Sequence, residues 1–314
     1  MKSRWIIACA ALAAPGIASA QTRDDPRNDW SGFYVGADVG LASGRIKASG
    51  ADEIFQLTNI NPPGTQPLTV VPGTTISYAG SRRHSDILYG GTAGFLVQTG
   101  NLVLGVEGDA HGPRDAARYS GNFGLPATAL APPGTVTIAR DARVDWDWSA
   151  RGRVGVSLGS DMIYADGGIA SARIRLRGQD TLMIPAGNAA PTAGSPPFAT
   201  PTIGPVTISA SRRGTMTGWT AGIGGEHRLA SHLSLGLDAR YSDYGHHNYD
   251  LGSCVPNTAC GNATVTGGTI TFPAGTNPAS ISLNSTDAYP GASPGVTRVS
   301  LNEWRISARL IFRF

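Results

Sequence analysis

Eight stretches of this chain alternate apolar and polar residues at a period of two, and few folds can use that pattern so often. They run roughly over 31–46, 86–98, 102–112, 144–158, 162–177, 214–229, 233–247 and 301–314, and the period is that of β-strands with two chemically different faces. The last shows it most plainly. Trp304, Ile306, Ala308, Leu310, Phe312 and Phe314 fall on one face, and Glu303, Arg305, Ser307, Arg309 and Arg313 on the other. The stretch 31–46 sets Phe33, Val35, Ala37, Val39 and Leu41 against Tyr34, Gly36, Asp38 and Gly40, and 144–158 sets Val144, Trp146, Trp148, Val154 and Val156 against Asp145, Asp147, Arg151 and Arg153. In 162–177 the parity of Asp166 is opposite to that of Arg173, Arg175 and Arg177. That predicts a bulge or register change near Gly167 and Gly168.

The spacing between the stretches is as informative as the stretches. Three connections are tiny, "TGN" near Gly100, "GSD" near Ser160 and "ASH" near Ser231. Four are long, about 30 residues or more, and rich in Pro, Gly, Thr, Ala and Ser, a length uncommon in compact soluble domains. Alternating short turns and long loops belong to an antiparallel up-and-down barrel in an outer membrane, with short periplasmic turns and long extracellular loops. A soluble barrel would put the apolar face within, where the intervening charges leave no apolar cavity for a ligand. The expected fold is all-β: an eight-stranded antiparallel up-and-down transmembrane β-barrel with four long extracellular loops.

The N-terminus agrees with export. Lys2 and Arg4 precede an apolar run from Trp5 to Ala14, and Ala18, Ser19 and Ala20 follow. This is a secretory signal peptide over 1–20, with cleavage expected after Ala20 and a barrel domain over 21–314. No later stretch approaches the roughly 20 apolar residues of a helical span. Processing removes Cys9 and takes the formal charge from +3 to +1 with the loss of Lys2 and Arg4. The remaining basic residues are scattered, so nothing points to nucleic acid. Cys254 and Cys260 are expected to form a disulfide in the fourth loop, since "CVPNTAC" holds no His, Asp or Glu that would make a metal site.

The charged face is the strongest chemical feature. Asp38, Glu107, Asp109, Asp145, Asp147, Glu226, Asp238 and Glu303 face Arg151, Arg153, Arg240, Arg305, Arg309 and Arg313. An eight-stranded barrel has an interior that side chains nearly fill, and charges there must pair. The expected network comprises Asp38, Glu107, Asp109, Arg151, Arg153, Glu226, Asp238, Arg240, Arg305 and Arg309. Glu107 and Arg153 should stand at similar height on neighbouring strands and pair, directly or through Arg151. His84, His111, His246 and His247 fall at extracellular strand ends, where imidazoles are ordinary rim residues as well as haem or metal ligands. His227 and His232 lie near a periplasmic turn. No Ser and His share a strand face in a way that suggests a nucleophile and its base, so no enzyme, cofactor or metal is expected. Trp146, Trp148, Trp219, Trp304 and Tyr241 read as an interfacial aromatic belt.

"WSGFYVGADVG" at Trp30–Gly40 and "LVLGVEGDA" at Leu102–Ala110 resemble strand openings in the porin-family small outer-membrane barrels of alphaproteobacteria. The ending "RLIFRF" is similar to the C-terminal assembly signal of such barrels, with Phe312 and Phe314 as its aromatic positions. The resemblance implies a structural or surface protein of the envelope whose partners are outer-membrane lipid and the barrel-assembly machinery. Binding of haemin or a host surface ligand through the loops, and weak porin activity, are the alternatives it leaves open.

Overall fold

In the computed structural model, residues 29–59, 69–126, 133–189, 198–200, 202–251, 264–266, 269–271, 280–282 and 292–314 are described. Two of the three short turns are made by Gly100 (φ 59°) and Gly159 (φ 80°), left-handed positions that glycine occupies without a Cβ clash. The strands are β1 Gly32–Asn59, β2 Thr69–Thr99, β3 Leu102–His111, β4 Arg114–Leu125, β5 Gly134–Leu158, β6 Asp161–Ile184, β7 Gly187–Ala189, β8 Phe198–Thr200, β9 Thr202–Ala230, β10 Leu233–Asp250, β11 Thr264–Thr266, β12 Thr269–Thr271, β13 Ser280–Ser282 and β14 Ala292–Arg313.

Eight of them close a ring in the antiparallel order β1, β2, β3, β5, β6, β9, β10, β14 and back to β1. The seam is continuous, Tyr34 standing opposite Arg313 and Phe314 N donating to Phe33 O at 2.9 Å. Closure leaves the membrane-embedded sheet without an edge, as hydrocarbon requires. Above the end of β3, β4 takes its place beside β5, with Arg114 opposite Val144.

The lower part of the ring faces lipid. Val39, Leu41, Ile87, Val106, Ile223, Leu237 and Ile306 all project outward and are more than half exposed. At the upper border Trp304, Tyr241 and Trp219 form a chain of rings with centroids 5.0 and 5.4 Å apart. Between Phe312 and Trp304 every outward residue of β14 is apolar. At about 3.3 Å per residue and a tilt near 40° that span is roughly 20 Å high, close to the apolar band of an outer-membrane barrel.

Above the aromatic border the two faces exchange chemistry. On β6 the inward residues change from Tyr164 and Asp166 to Ala170, Ala172, Ile174 and Leu176, and the outward ones from Ile163 and Ile169 to Arg173, Arg175 and Arg177. Inward parity never changes along this strand, and pairing runs unbroken through Gly167 and Gly168 on both sides. The expected bulge there is therefore corrected: the strand leaves the membrane, and with the solvent outside changed from lipid to water the polar face turns out. The upper interior is an apolar core of Ile46, Val144, Ile174, Leu176, Met216, Val299 and Leu301, among others.

The real irregularity lies on β5, where the register shifts between Val144 and Trp146. It leaves Asp145 on the outside and turns Val144 inward, which corrects both sequence assignments. Asp145 pairs there with Arg175 at 3.1 Å and Arg213 at 3.3 Å. The segments read as long loops are also in large part strand. β1 continues to Asn59 and β2 begins at Thr69, and β5, β6 and β9 extend similarly, because β-branched and alternating residues there build the apolar upper core. Cys254 and Cys260 lie outside the described residues.

Candidate functional site

The lumen within the membrane is the chemically dense part of the molecule, and it is stacked in layers. At the periplasmic end Trp30 is fully buried. Its indole N–H donates to Gly159 O at 3.2 Å, and the guanidinium groups of Arg228 and Arg313 each lie 4.6 Å from its ring centre. Arg313 in turn donates to Glu226 at 3.1 Å.

Glu107 is the hub of the next layer. Its carboxylate accepts from Tyr34 Oη, Arg153 and Arg309, each at 2.5 Å, and from Arg151. Those donors come from β1, β5 and β14, so one carboxylate ties together three strands around the ring besides its own β3. Arg153 also donates to Glu226 at 2.7 Å and stacks 3.8 Å over the Tyr164 ring. Glycines make room for these rings: a Cβ at Gly94 would collide with Tyr34, and one at Gly224 with Tyr164.

Asp109 anchors the third layer, accepting from Arg151 at 2.6 Å, Arg240 at 2.5 Å and Ser149 at 2.9 Å. Arg151 reaches Asp166 at 2.8 Å, and Arg240 reaches Asp238 at 3.3 Å. In the fourth, Asp147 accepts from Arg305 at 2.7 Å and from Arg114, and both arginines also hold Glu303. Tyr244 contacts Arg305 here. Asp38 enters this layer through His111, whose Nε2 lies 3.0 Å from its carboxylate.

The structure thus gathers Asp38, Glu107, Asp109, Arg151, Arg153, Glu226, Asp238, Arg240, Arg305 and Arg309 into one lattice. Sequence reasoning missed Arg114, Asp166, Tyr164 and Trp30. Arg114 follows the end of its stretch and has the opposite parity to Glu107, Asp109 and His111, so alternation gave no signal for it. Eight buried carboxylates (Asp38, Glu107, Asp109, Asp147, Asp166, Glu226, Asp238, Glu303) stand with eight buried guanidiniums (Arg114, Arg151, Arg153, Arg228, Arg240, Arg305, Arg309, Arg313), which leaves no surplus sign to attract ions.

The histidines do not assemble. His84 and His111 line the lumen rather than the rim, because β2 continues upward beyond His84 and β4 takes over beside β5 above His111, and they bond to Glu303 at 3.3 Å and to Asp147 at 3.2 Å. His246 and His247 are exposed on β10. Among the described residues no group of three or more His, Cys, Asp or Glu could hold a metal. His227 pairs with Asp161 at 2.8 Å, and His232 bonds to Arg313 O at 2.9 Å. Phe312 and Phe314 lie outside on the lowest rung of β14, their rings edge to face at 5.3 Å.

A polar island sits in the upper core, outside the membrane. Arg140 donates to Asp52 and Asp180 at 2.6 Å each and to Tyr78 Oη at 3.1 Å. One cation serves two carboxylates, and burial together with the Asp180 charge pushes Asp52 up to about 7. Asp180 is raised as well, chiefly by burial. An aspartate unfolded titrates near 3.9, so the folded state binds the extra proton more tightly. The resulting stabilisation is complete below the unfolded value and is lost as pH rises through about 7. Amide exchange around Ala51 and Gln179, corrected for intrinsic rates, should be slower at pH 5 than at pH 8, and Asp52→Asn should flatten the difference. Equal protection of the unaltered protein at both pH values would remove the shared proton.

A closed antiparallel ring with a lipid-facing belt and a charged interior defines an integral outer-membrane barrel. The profile of the outer membrane protein beta-barrel domain matches residues 7–275, and the chain belongs to that family. It is 26% identical over 234 residues to the 25 kDa outer-membrane immunogenic protein of Brucella melitensis, covering 74% of each chain. The resemblance to small barrels of alphaproteobacteria is thereby borne out, and the protein is placed in the outer membrane of a Gram-negative bacterium. That relative's name states immunogenicity and no enzymatic activity. Among solved structures the chain is similar to Ail, the attachment invasion locus protein of Yersinia pestis, at 10% identity, covering 90% of this chain and 99% of that one with a TM-score of 0.29. It is also similar to OprG of Pseudomonas aeruginosa, at 11% identity, 93% and 100% coverage and a TM-score of 0.29.

Proposed function

We propose that this protein is a structural and surface-displayed barrel that contributes to envelope integrity, that its polar lumen is largely occluded, and that it catalyses no reaction. The observation that carries this reading is the layered lattice from Trp30 to Arg114, in which every buried carboxylate meets an arginine or a histidine. Such pairs give up little net stability to a hydrophobic alternative, yet each is strongly destabilised when one partner is lost, so the lattice fixes the ring rather than leaving a path. Neither lumen histidine bonds to a hydroxyl, which argues against a nucleophile–base pair. The scattered imidazoles likewise argue against haemin as a ligand. The strand extension above the membrane supports display at the surface, as the relative's immunogenic name would suggest for this chain.

Planar-bilayer recording of the refolded protein tests the occlusion: no steady conductance is expected, and reproducible steps would overturn it. Titration with haemin should give no saturable binding. Deletion of the gene should sensitise cells to detergent without altering solute or haem uptake.

A further inference from the structure

We infer that the outer wall where β14, β1 and β2 meet, just above the aromatic border, is a docking site for the phosphate groups of the outer-leaflet glycolipid. Arg45 on β1 stands directly opposite Arg83 on β2. Lys47 lies one outward step above Arg45, and Arg298 on β14 stands opposite Ser49, one step above Lys47. All four side chains are exposed.

Like charges directly opposite on neighbouring strands are unfavourable, and no acid stands opposite any of the four. The other neighbour of Arg45 is Asn302, those of Lys47 are Ser81 and Ser300, and those of Arg298 are Ser49 and Asn248. Arg83 has β1 alone as its ladder partner, because β2 pairs with β3 only from Gly90 onward. Among the described residues none of the four meets a carboxylate within salt-bridge reach. The acids around them are out of reach or engaged. Asp243 lies beyond Asn302 in the row of Arg45, two strand spacings or about 10 Å away, and its carboxylate accepts from Gly245 N at 2.8 Å. Asp250 stands opposite Val296 and is itself partnered. Asp86 has the inward parity of Leu88, and Asp115 stands opposite Arg143.

Position selects the occupant. Arg45 lies two residues above Ser43, which pairs with Trp304 of the aromatic border. At about 3.3 Å per residue and a tilt near 40°, Arg45 and Arg83 stand roughly 5 Å above that border and Arg298 roughly 15 Å above it, at headgroup depth. Directly below is the apolar wall of Trp304, Ile306, Leu41 and Ile87. A molecule with phosphates at one end and several acyl chains at the other matches both surfaces at once, whereas a soluble polyanion matches only the upper one. The cations fall into two groups, Arg45 with Arg83 below and Lys47 with Arg298 above. A glycolipid bearing two phosphates can engage both, and a phospholipid with one phosphate engages a single group. Arginine binds phosphate with two parallel hydrogen bonds, which lysine cannot. This inference does not depend on whether the lumen conducts.

The test uses the full barrel in detergent, titrated by native mass spectrometry with bisphosphorylated lipid A, with the same glycolipid dephosphorylated, with phosphatidylglycerol and with inorganic phosphate. The double substitution Arg45→Gln, Arg83→Gln should weaken lipid A binding at least tenfold while heat-modifiable gel mobility stays unchanged. The corresponding double change to Lys should recover only part of the loss. Arg213→Gln removes a half-exposed cation that Asp145 holds on β9, three strands from β1, and should change nothing. Dephosphorylated glycolipid and phosphatidylglycerol should each bind the unaltered barrel at least tenfold more weakly than lipid A does. Equal binding of phosphorylated and dephosphorylated glycolipid, an unaffected double variant, an equal loss in Arg213→Gln, or phosphatidylglycerol or inorganic phosphate binding as well as lipid A would each overturn the assignment.

Discussion

Glu107→Gln should lower the unfolding free energy of the barrel by about 3–5 kcal/mol, the penalty for removing one partner of a buried charge network. The side chain keeps its shape and one acceptor, so packing is nearly unchanged. What is lost is the charge that balances Arg151, Arg153 and Arg309 in a layer shut off from water. The comparison is Asp161→Asn, which breaks the pair with His227 at the periplasmic turn, where both side chains are more than half exposed. An exposed pair of that kind contributes at most about 1 kcal/mol. Urea unfolding in lipid vesicles, followed by tryptophan fluorescence and by the mobility of unboiled samples, reads both. Similar losses in the two variants would mean that the lumen lattice is solvated and that the layers do not seal the ring. Adding Arg309→Leu to Glu107→Gln should restore part of the loss, since Arg309 bonds closely to no carboxylate but Glu107 and its removal withdraws a stranded cation.

Leu237→Arg should cost about 2–4 kcal/mol, the depth-dependent penalty for a cation on the lipid face near the midplane of a barrel. Leu237 is 64% exposed and sits midway on β10 between Leu233 at the turn and Tyr241 in the aromatic border. Thr135→Arg on β5, outward, above the border and opposite the uncharged Met183 and Gly124, should change stability by less than about 0.5 kcal/mol, as ordinary surface substitutions do. The contrast between the two variants is the solvent that the new side chain meets. Should they destabilise alike, the assignment of hydrocarbon to the lower wall would fail.

Much of this was legible in the sequence, and the part that was not has identifiable physical causes. Alternation at a period of two located all eight ring strands, and inward parity picked out the lumen charges from Asp38 to Arg309. That reading carried one rule, apolar outward and polar inward, along the whole length. It therefore mistook the arginines from Arg173 to Arg177 for a sign of broken register, when the strand had only passed from lipid into water. It counted Asp145 as a lumen charge, because a bulge placed beside Trp146 shifts parity without any Gly or Pro to announce it. Arg140, Asp52 and Asp180 escaped notice for another reason: they lie in segments whose Pro, Gly and Thr content looks like loop. Pairing across the ring, which the local sequence does not record, is what makes those segments strand.

The abrupt exchange of faces at the aromatic border also fixes where the molecule can float. A helix in a bilayer meets a change of thickness by tilting, and a barrel uniform along its axis could ride up or down by several ångströms at modest cost. Here a descent of two residues, about 6 Å along the strand, would bring Arg45 down to the level that Trp304 now holds, at the edge of the hydrocarbon, and a rise of the same size would lift Trp304, Tyr241 and Trp219 into water. Neither displacement can be absorbed residue by residue, because the ring moves as a rigid whole. The bilayer, being the softer partner, has to conform to the protein, so each copy imposes its own preferred thickness on the lipid around it. Copies crowded together would share that thinned or thickened annulus, which favours their lying side by side with no contact between their walls.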